Sequence, residues 1–187
     1  MSCPINGEMN CKCLIEHEDL QVDIKTTMRK LFTDHGVFTA FVLKSIVDHV
    51  NDVPALLPRL MQNQEDIGNE LKPYIGQQLG HHITTLLKEH IKLAGDVMKA
   101  AVNSSSNLNH LINQLMNNSN QVAAGLHAIN PDMLPLDEMK IMFHDHNDFV
   151  IKMCQARIAK KYKEEIRLYD GYFNELMMMS DQICDAL

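Results

Sequence analysis

Three histidines, His35, His90 and His146, occupy positions where the surrounding residues set up apolar helical stripes. His35 follows Met28 and Leu31 and precedes Phe38 and Val42 at helical spacings. His90 stands in the same way between Ile83, Leu86 and Ala94, Val97, and His146 between Met139, Met142 and Val150, Met153. Asp66 lies one position off its stripe beside Ile67, Asn63 lies on that stripe, and Asn118 sits between Leu115 and Val122. Counted from the nearest turns, all these groups fall roughly 10–17 residues along their helices, or about 15–25 Å at 1.5 Å per residue. The spacing predicts one polar layer inside a bundle. Neutral imidazoles with a carboxylate have the composition of a zinc, iron or manganese site. Metal ligands are expected at His35, Asp66, His90 and His146, with Asn63, Glu89, Asn118 and Tyr169 as supporting or alternative groups.

Two other readings of the layer stay open. Buried imidazole and carboxylate groups must find partners, so a hydrogen-bonded core network accounts for the same residues. An acid/base pocket without metal is the third. Glu-x-x-His pairs, the ligand pattern of ferritin-like di-iron bundles, are absent, as is His-Glu-x-x-His. A second cluster, Cys3, Cys11, Cys13 and His17, has zinc-clip chemistry within a short stretch. Free thiols in a loosely packed head are the alternative there. His49, His81, His82, His110 and His127 read as surface or helix-end residues. No P-loop, Rossmann glycine pattern or Gly-x-Ser-x-Gly elbow occurs, so no nucleotide cofactor is expected.

The positioning elements are helices. Apolar residues recur at helical spacing from about Asp19 to Val50. Asn51–Pro54 ends that helix, with Pro58 expected in the first turn of the next. Further turns are expected at Gly76, at 103–107 and at 130–135, with Asp137 as a plausible N-cap. From Glu138 to Ala186 only Gly171 interrupts the pattern. One rod of that length would reach roughly 75 Å, so a break is expected between Ala156 and Gly171. No fixed repeat is visible, only a loose rhythm of roughly 25–28 residues per helix. The fold class expected is all-α: an up-and-down bundle of five to six helices, ferritin-like or related, over residues 19–187. Residues 1–18 are expected to form an irregular head.

Composition agrees with this. The 187 residues are 45% hydrophobic and 22% charged, with 13 methionines and no tryptophan. Methionine suits loosely specified helical cores. A net charge of -7 argues against nucleic acid or an anionic membrane as partner. Without an export signal or a long apolar run, a cytoplasmic location with reduced thiols is the expectation. Tyr162, Tyr169, Tyr172 and Phe173 in the last helix are the candidate surface for a homo-oligomer.

The runs Leu60–Asn69, Lys72–Gly76, Leu87–Ile91 and Ala128–Pro131 resemble an uncharacterised all-helical family associated mainly with spore-forming bacteria. The resemblance covers roughly residues 28–183. It implies a helical fold and names no activity. Where that family tends to carry acidic residues after the position of Asn118, this chain has Asn120 and Gln121, which puts a ligand role for that helix in doubt. Two functions are therefore carried forward. One is a metal-binding bundle, hydrolytic or redox; the other is a non-catalytic structural or interaction protein.

Overall fold

A computed structural model describes residues 11–187, with side chains from residue 22 onward. Six helices follow one another: α1 (Cys11–Val47), α2 (Val53–Ile75), α3 (Gln77–Val102), α4 (Leu108–His127), α5 (Leu136–Ile158) and α6 (Tyr162–Asp185). Residues 11–18, expected to be irregular, lie within α1. Each helix packs on the next, and α6 returns to α1, so the bundle closes into a ring. Across the ring α1, α3 and α5 also touch one another. The odd helices are thus central, and the even ones fill the grooves between them. One apolar core joins all six, from Ile24 and Met28 to Met179 and Ile183.

The ring is built from three helical hairpins, α1–α2, α3–α4 and α5–α6, and they share one pattern. Aligned on His35, His90 and His146, about 55 residues apart, the sequences superimpose position by position. Seven residues earlier stand Met28, Ile83 and Met139, all essentially inaccessible. Seven residues later stand Val42, Val97 and Met153, all buried. The odd helices end at equivalent residues, Val47, Val102 and Ile158. Just beyond, His49, Ser104 and Lys160 adopt left-handed φ angles of 55°, 49° and 57°. At each, one amide bonds back three residues and the next bonds back five, as in Lys160 to Arg157 and Lys161 to Ala156. That is the Schellman arrangement, which normally uses glycine. None of the three is glycine, so the hairpins left no glycine signature in the sequence.

The repeat corrects the earlier reading that the chain has none, and it locates the break in the long C-terminal rod at 159–161. Arg157 fastens this joint, donating from Nη1 to both Glu165 carboxylate oxygens (2.9 and 3.0 Å) and pairing with Asp48 from the first hairpin turn. Other boundaries differ by a few residues. Pro54, not Pro58, occupies the first turn of α2, and Pro58 lies inside that helix. Pro135 caps α5, while Asp137 and Glu138 occupy its first turn, where negative charge opposes the helix dipole.

Gly76 alone joins the first two hairpins, at φ 82° and ψ 159°, a conformation open essentially to glycine only. Beyond it α2 and α3 approach so closely that a Cβ on Gly68 would stand 1.8 Å from Thr84 Oγ1. The aromatic residues proposed for self-association are divided: Tyr162 is 51% exposed, whereas Tyr172 is fully buried. Among the described residues, no helix is long and apolar enough to cross a membrane.

Candidate metal centre

The repeat places one imidazole from each central helix at the same height. His35, His90 and His146 are all at least nine-tenths buried. The ring of His146 lies 5.8 Å from His35 and 6.0 Å from His90, centre to centre. All three line one enclosed cavity of about 40 Å³.

Each outer helix then supplies a partner to its own hairpin's histidine, and the bond is made at Nδ1 every time. Gln64 on α2 bonds His35 (3.1 Å), Asn118 on α4 bonds His90 (2.9 Å) and Glu175 on α6 bonds His146 (3.1 Å). The partners lie 29, 28 and 29 residues after their histidines. Asn118 also donates to the Leu86 carbonyl, and Asn63 donates to the equivalent Leu31 carbonyl, each across 32 residues. Tethering Nδ1 to an oxygen acceptor fixes the ring and its tautomer; metal-ligating histidines are commonly held this way. Asn118 and Glu175 provide such oxygens. Gln64 differs: its amide nitrogen donates to His35 Nδ1 as well as to the Leu60 carbonyl and Asn63 Oδ1, so the proton of the neutral His35 ring sits on Nε2.

Burial sets the charge of the rings. Desolvation, with the neighbouring His146 and His90, lowers the pKa of His35 well below the usual 6.5. Desolvation, with His146, lowers His90 to about 4. Both are neutral near pH 7, which is the ligating form.

The two sides of the layer differ. Away from the hairpin turns the cavity walls are repeat-equivalent apolar residues: Phe32, Leu87 and Phe143 from the central helices, Ile67, Val122 and Met179 from the outer ones. Toward the turns the layer meets Tyr172, whose ring centre is 5.1 Å from that of His146. Burial raises the Tyr172 phenol far above its usual pKa. The Tyr172 and Thr39 hydroxyls and Glu175 Oε1 are buried without hydrogen-bond partners.

Some expected residues stand elsewhere. Asp66 is half-exposed and accepts from Gln62 on the outer face of α2 (2.9 Å), because the inward positions of that helix are Leu60, Asn63, Gln64, Ile67 and Leu71. Glu89 is exposed, although it adjoins His90 in sequence. Tyr169 is half-buried one turn before Tyr172 and stacks near it, not on the histidines. The carboxylate of the layer is Glu175, which the sequence reading missed. Its signal was the hairpin repeat, since Asn63, Asn118 and Glu175 occupy equivalent places in α2, α4 and α6. Cys3 lies outside the described residues, as do the side chains of Cys11, Cys13 and His17.

Three imidazoles on one tetrahedral ion at 2.0–2.1 Å would hold their ring centres about 5.2 Å apart. The two pairs that include His146, at 5.8 and 6.0 Å, stand within about 1 Å of that spacing, on the wide side. Among the described residues no group of three or more His, Cys, Asp or Glu side chains is arranged so that it could hold a metal ion. Compared with family models, curated proteins and solved structures, the chain has no match.

Proposed function

We propose that the protein is a metal-binding helical bundle whose ion is held by His35, His90 and His146. One observation carries the reading: three hairpins deliver three imidazoles to one cavity, each with Nδ1 already engaged by an outer side chain. Against a spacing of about 5.2 Å on one ion, the His146 ring would have to approach those of His35 and His90 by less than about 1 Å. Zinc, iron and manganese all accept imidazole, and an ion with an open position would serve hydrolytic or redox chemistry.

A second reading is favoured by the same ring spacing. With each ring hydrogen-bonded and slightly too far from its neighbours for an ion, the layer would act as a polar register mark that aligns the three hairpins, in a protein with no catalytic role.

Metal analysis of the full chain purified without an affinity tag separates the two. The metal reading expects close to one equivalent of a transition ion, and thermal stability that falls after chelation. His90→Ala should lose both the ion and the chelator effect. Less than about 0.2 equivalents of any transition metal, with unchanged melting after chelator, leaves the register reading.

A further inference from the structure

We propose that the groove between α1 and the α5–α6 hairpin receives the N-terminal end of α1, residues 11–22, from a second copy of this chain. The exchange is reciprocal, makes a dimer and needs no metal.

The hairpin repeat singles this groove out. The second and third hairpins each form a groove, near their turns, with the next central helix around the ring. In the second, α3–α4 against α5, the groove holds only about 20 Å³ and is bounded by Ala101, Leu108, Ile112 and Ile151. The first hairpin also has apolar residues, Ile46, Val53 and Leu57, at the places of Ala101, Leu108 and Ile112. The third has Arg157, Glu165 and Tyr169 there, and α1 offers Ala40 in place of Ile151. Arg157 and Glu165 turn to each other as an ion pair, and the groove opens to about 560 Å³. Phe41, Tyr162 and Ile166 on its walls are exposed, Ile166 by 62%. A shallower pocket at Thr33, Val37 and Phe173 continues it along the seam of α1 and α6. From Thr33 to Leu43 the trough is about 15 Å long, close to three helical turns. Exposed apolar side chains along the seam of two helices are the setting in which an amphipathic helix docks.

Charge and reach choose the helix. From Arg157 to Asp170 the chain has five basic and three acidic residues, and α1 adds Lys44 and Asp48, so the trough is a positive site in a chain of net charge -7. Its complement is an acidic helix with an apolar stripe. Residues 11–22 have that pattern: Cys11, Leu14, Ile15 and Val22 at helical spacing, with Glu16, Glu18 and Asp19 against Lys12. The same residues lengthen α1. It begins 24 residues before His35, whereas α3 and α5 begin 13 and 10 residues before their histidines. The extra residues relative to α3 add about 16 Å of helix, which matches the trough. They cannot enter their own groove, because they run away from it along the same helix. Val37 lies about 39 Å from Cys11, and residues 1–10 would span at most about 36 Å fully extended. The donor is therefore another copy, and mutual donation closes at two.

The test is sedimentation of the full chain, purified without a tag, from about 1 to 100 µM, the range of a modest interface. The expected result is a monomer–dimer equilibrium. Ile166→Glu in the groove and Ile15→Glu in the head should each weaken the dimer by roughly 30-fold or more, the effect of losing an anchoring side chain. Far-ultraviolet circular dichroism should not change, and Phe41→Glu repeats the groove arm on the opposite wall. An equimolar mixture of the Ile15→Glu and Ile166→Glu chains should recover dimer, because one of its two exchanges joins an intact head to an intact groove. A wild-type chain that stays monomeric throughout overturns the proposal, as does a dimer that withstands either substitution. If both variants are monomeric and their mixture is too, like surfaces meet in the dimer, and the head is not the occupant.

Discussion

Glu175 is the residue that breaks the threefold equivalence of the layer. Its counterparts are the amides Asn63 and Asn118, so only His146 faces a carboxylate. A carboxylate behind a ligating imidazole raises the basicity of the ring and fixes its tautomer. Glu175→Gln keeps the shape and removes the charge; it should weaken metal binding roughly 10- to 100-fold while leaving the circular dichroism unchanged. Competition against a chelator of known affinity measures this. His35 and His90 give the metal-free protein a defined pH response. Unfolded, both take up a proton near pH 6.5; folded, His90 does so only near 4 and His35 only well below 6.5. Between those values the unfolded chain binds more protons, so stability is complete above about pH 6.5 and is lost as pH falls toward 4. The His90 share is about 3 kcal/mol. Chelated protein should melt progressively lower from pH 7 to pH 4, and His90→Gln should flatten the decline.

At the scale of the elements, the sequence carried the histidine heights and not all their partners. Apolar spacing around each histidine was enough to place it inward, and counting from Asn51–Pro54, Gly76 and the 130–135 turn gave its height. Asp66 failed because a one-position error in phase turns a helical side chain by about 100°. Glu175 failed because the start of α6 was unmarked: Lys160 takes a left-handed turn with no glycine to announce it. That residue bears strain typical of a non-glycine C′ position. Lys160→Gly should therefore stabilise the protein by roughly 0.5–1 kcal/mol in denaturant melts, with metal content unaffected. A loss of stability instead would mean that the Lys160 side chain contributes more than its backbone costs.

Over the whole molecule, an all-helical bundle was legible from periodicity and from the low glycine and aromatic content. The threefold organisation was not, because the hairpins share positions more than residue types. Leu60 and Leu115 are matched by Tyr172, and Gln64 and Ser119 by Leu176. What is kept is the histidine, its apolar neighbours at seven residues and the distance to the turn. On the metal reading, such a ring would give an ion three struts at equivalent positions and leave the differences between them to Tyr172 and Glu175 on α6.

Closure of the ring also makes the order of the hairpins along the chain arbitrary. Lys25 near the start of the described side chains pairs with Asp185 at 2.5 Å, and Arg29 with Asp181 at 2.6 Å, so this part of α1 lies against the end of α6. A circular permutant that begins at Leu136, runs through Leu187 into a linker before the start of α1 and stops in the 128–135 loop would keep the six helices in the same order around the circle. It should fold to the same far-ultraviolet spectrum and, on the metal reading, load the same ion. A permutant that fails to fold would show that the hairpins must be made in their natural succession.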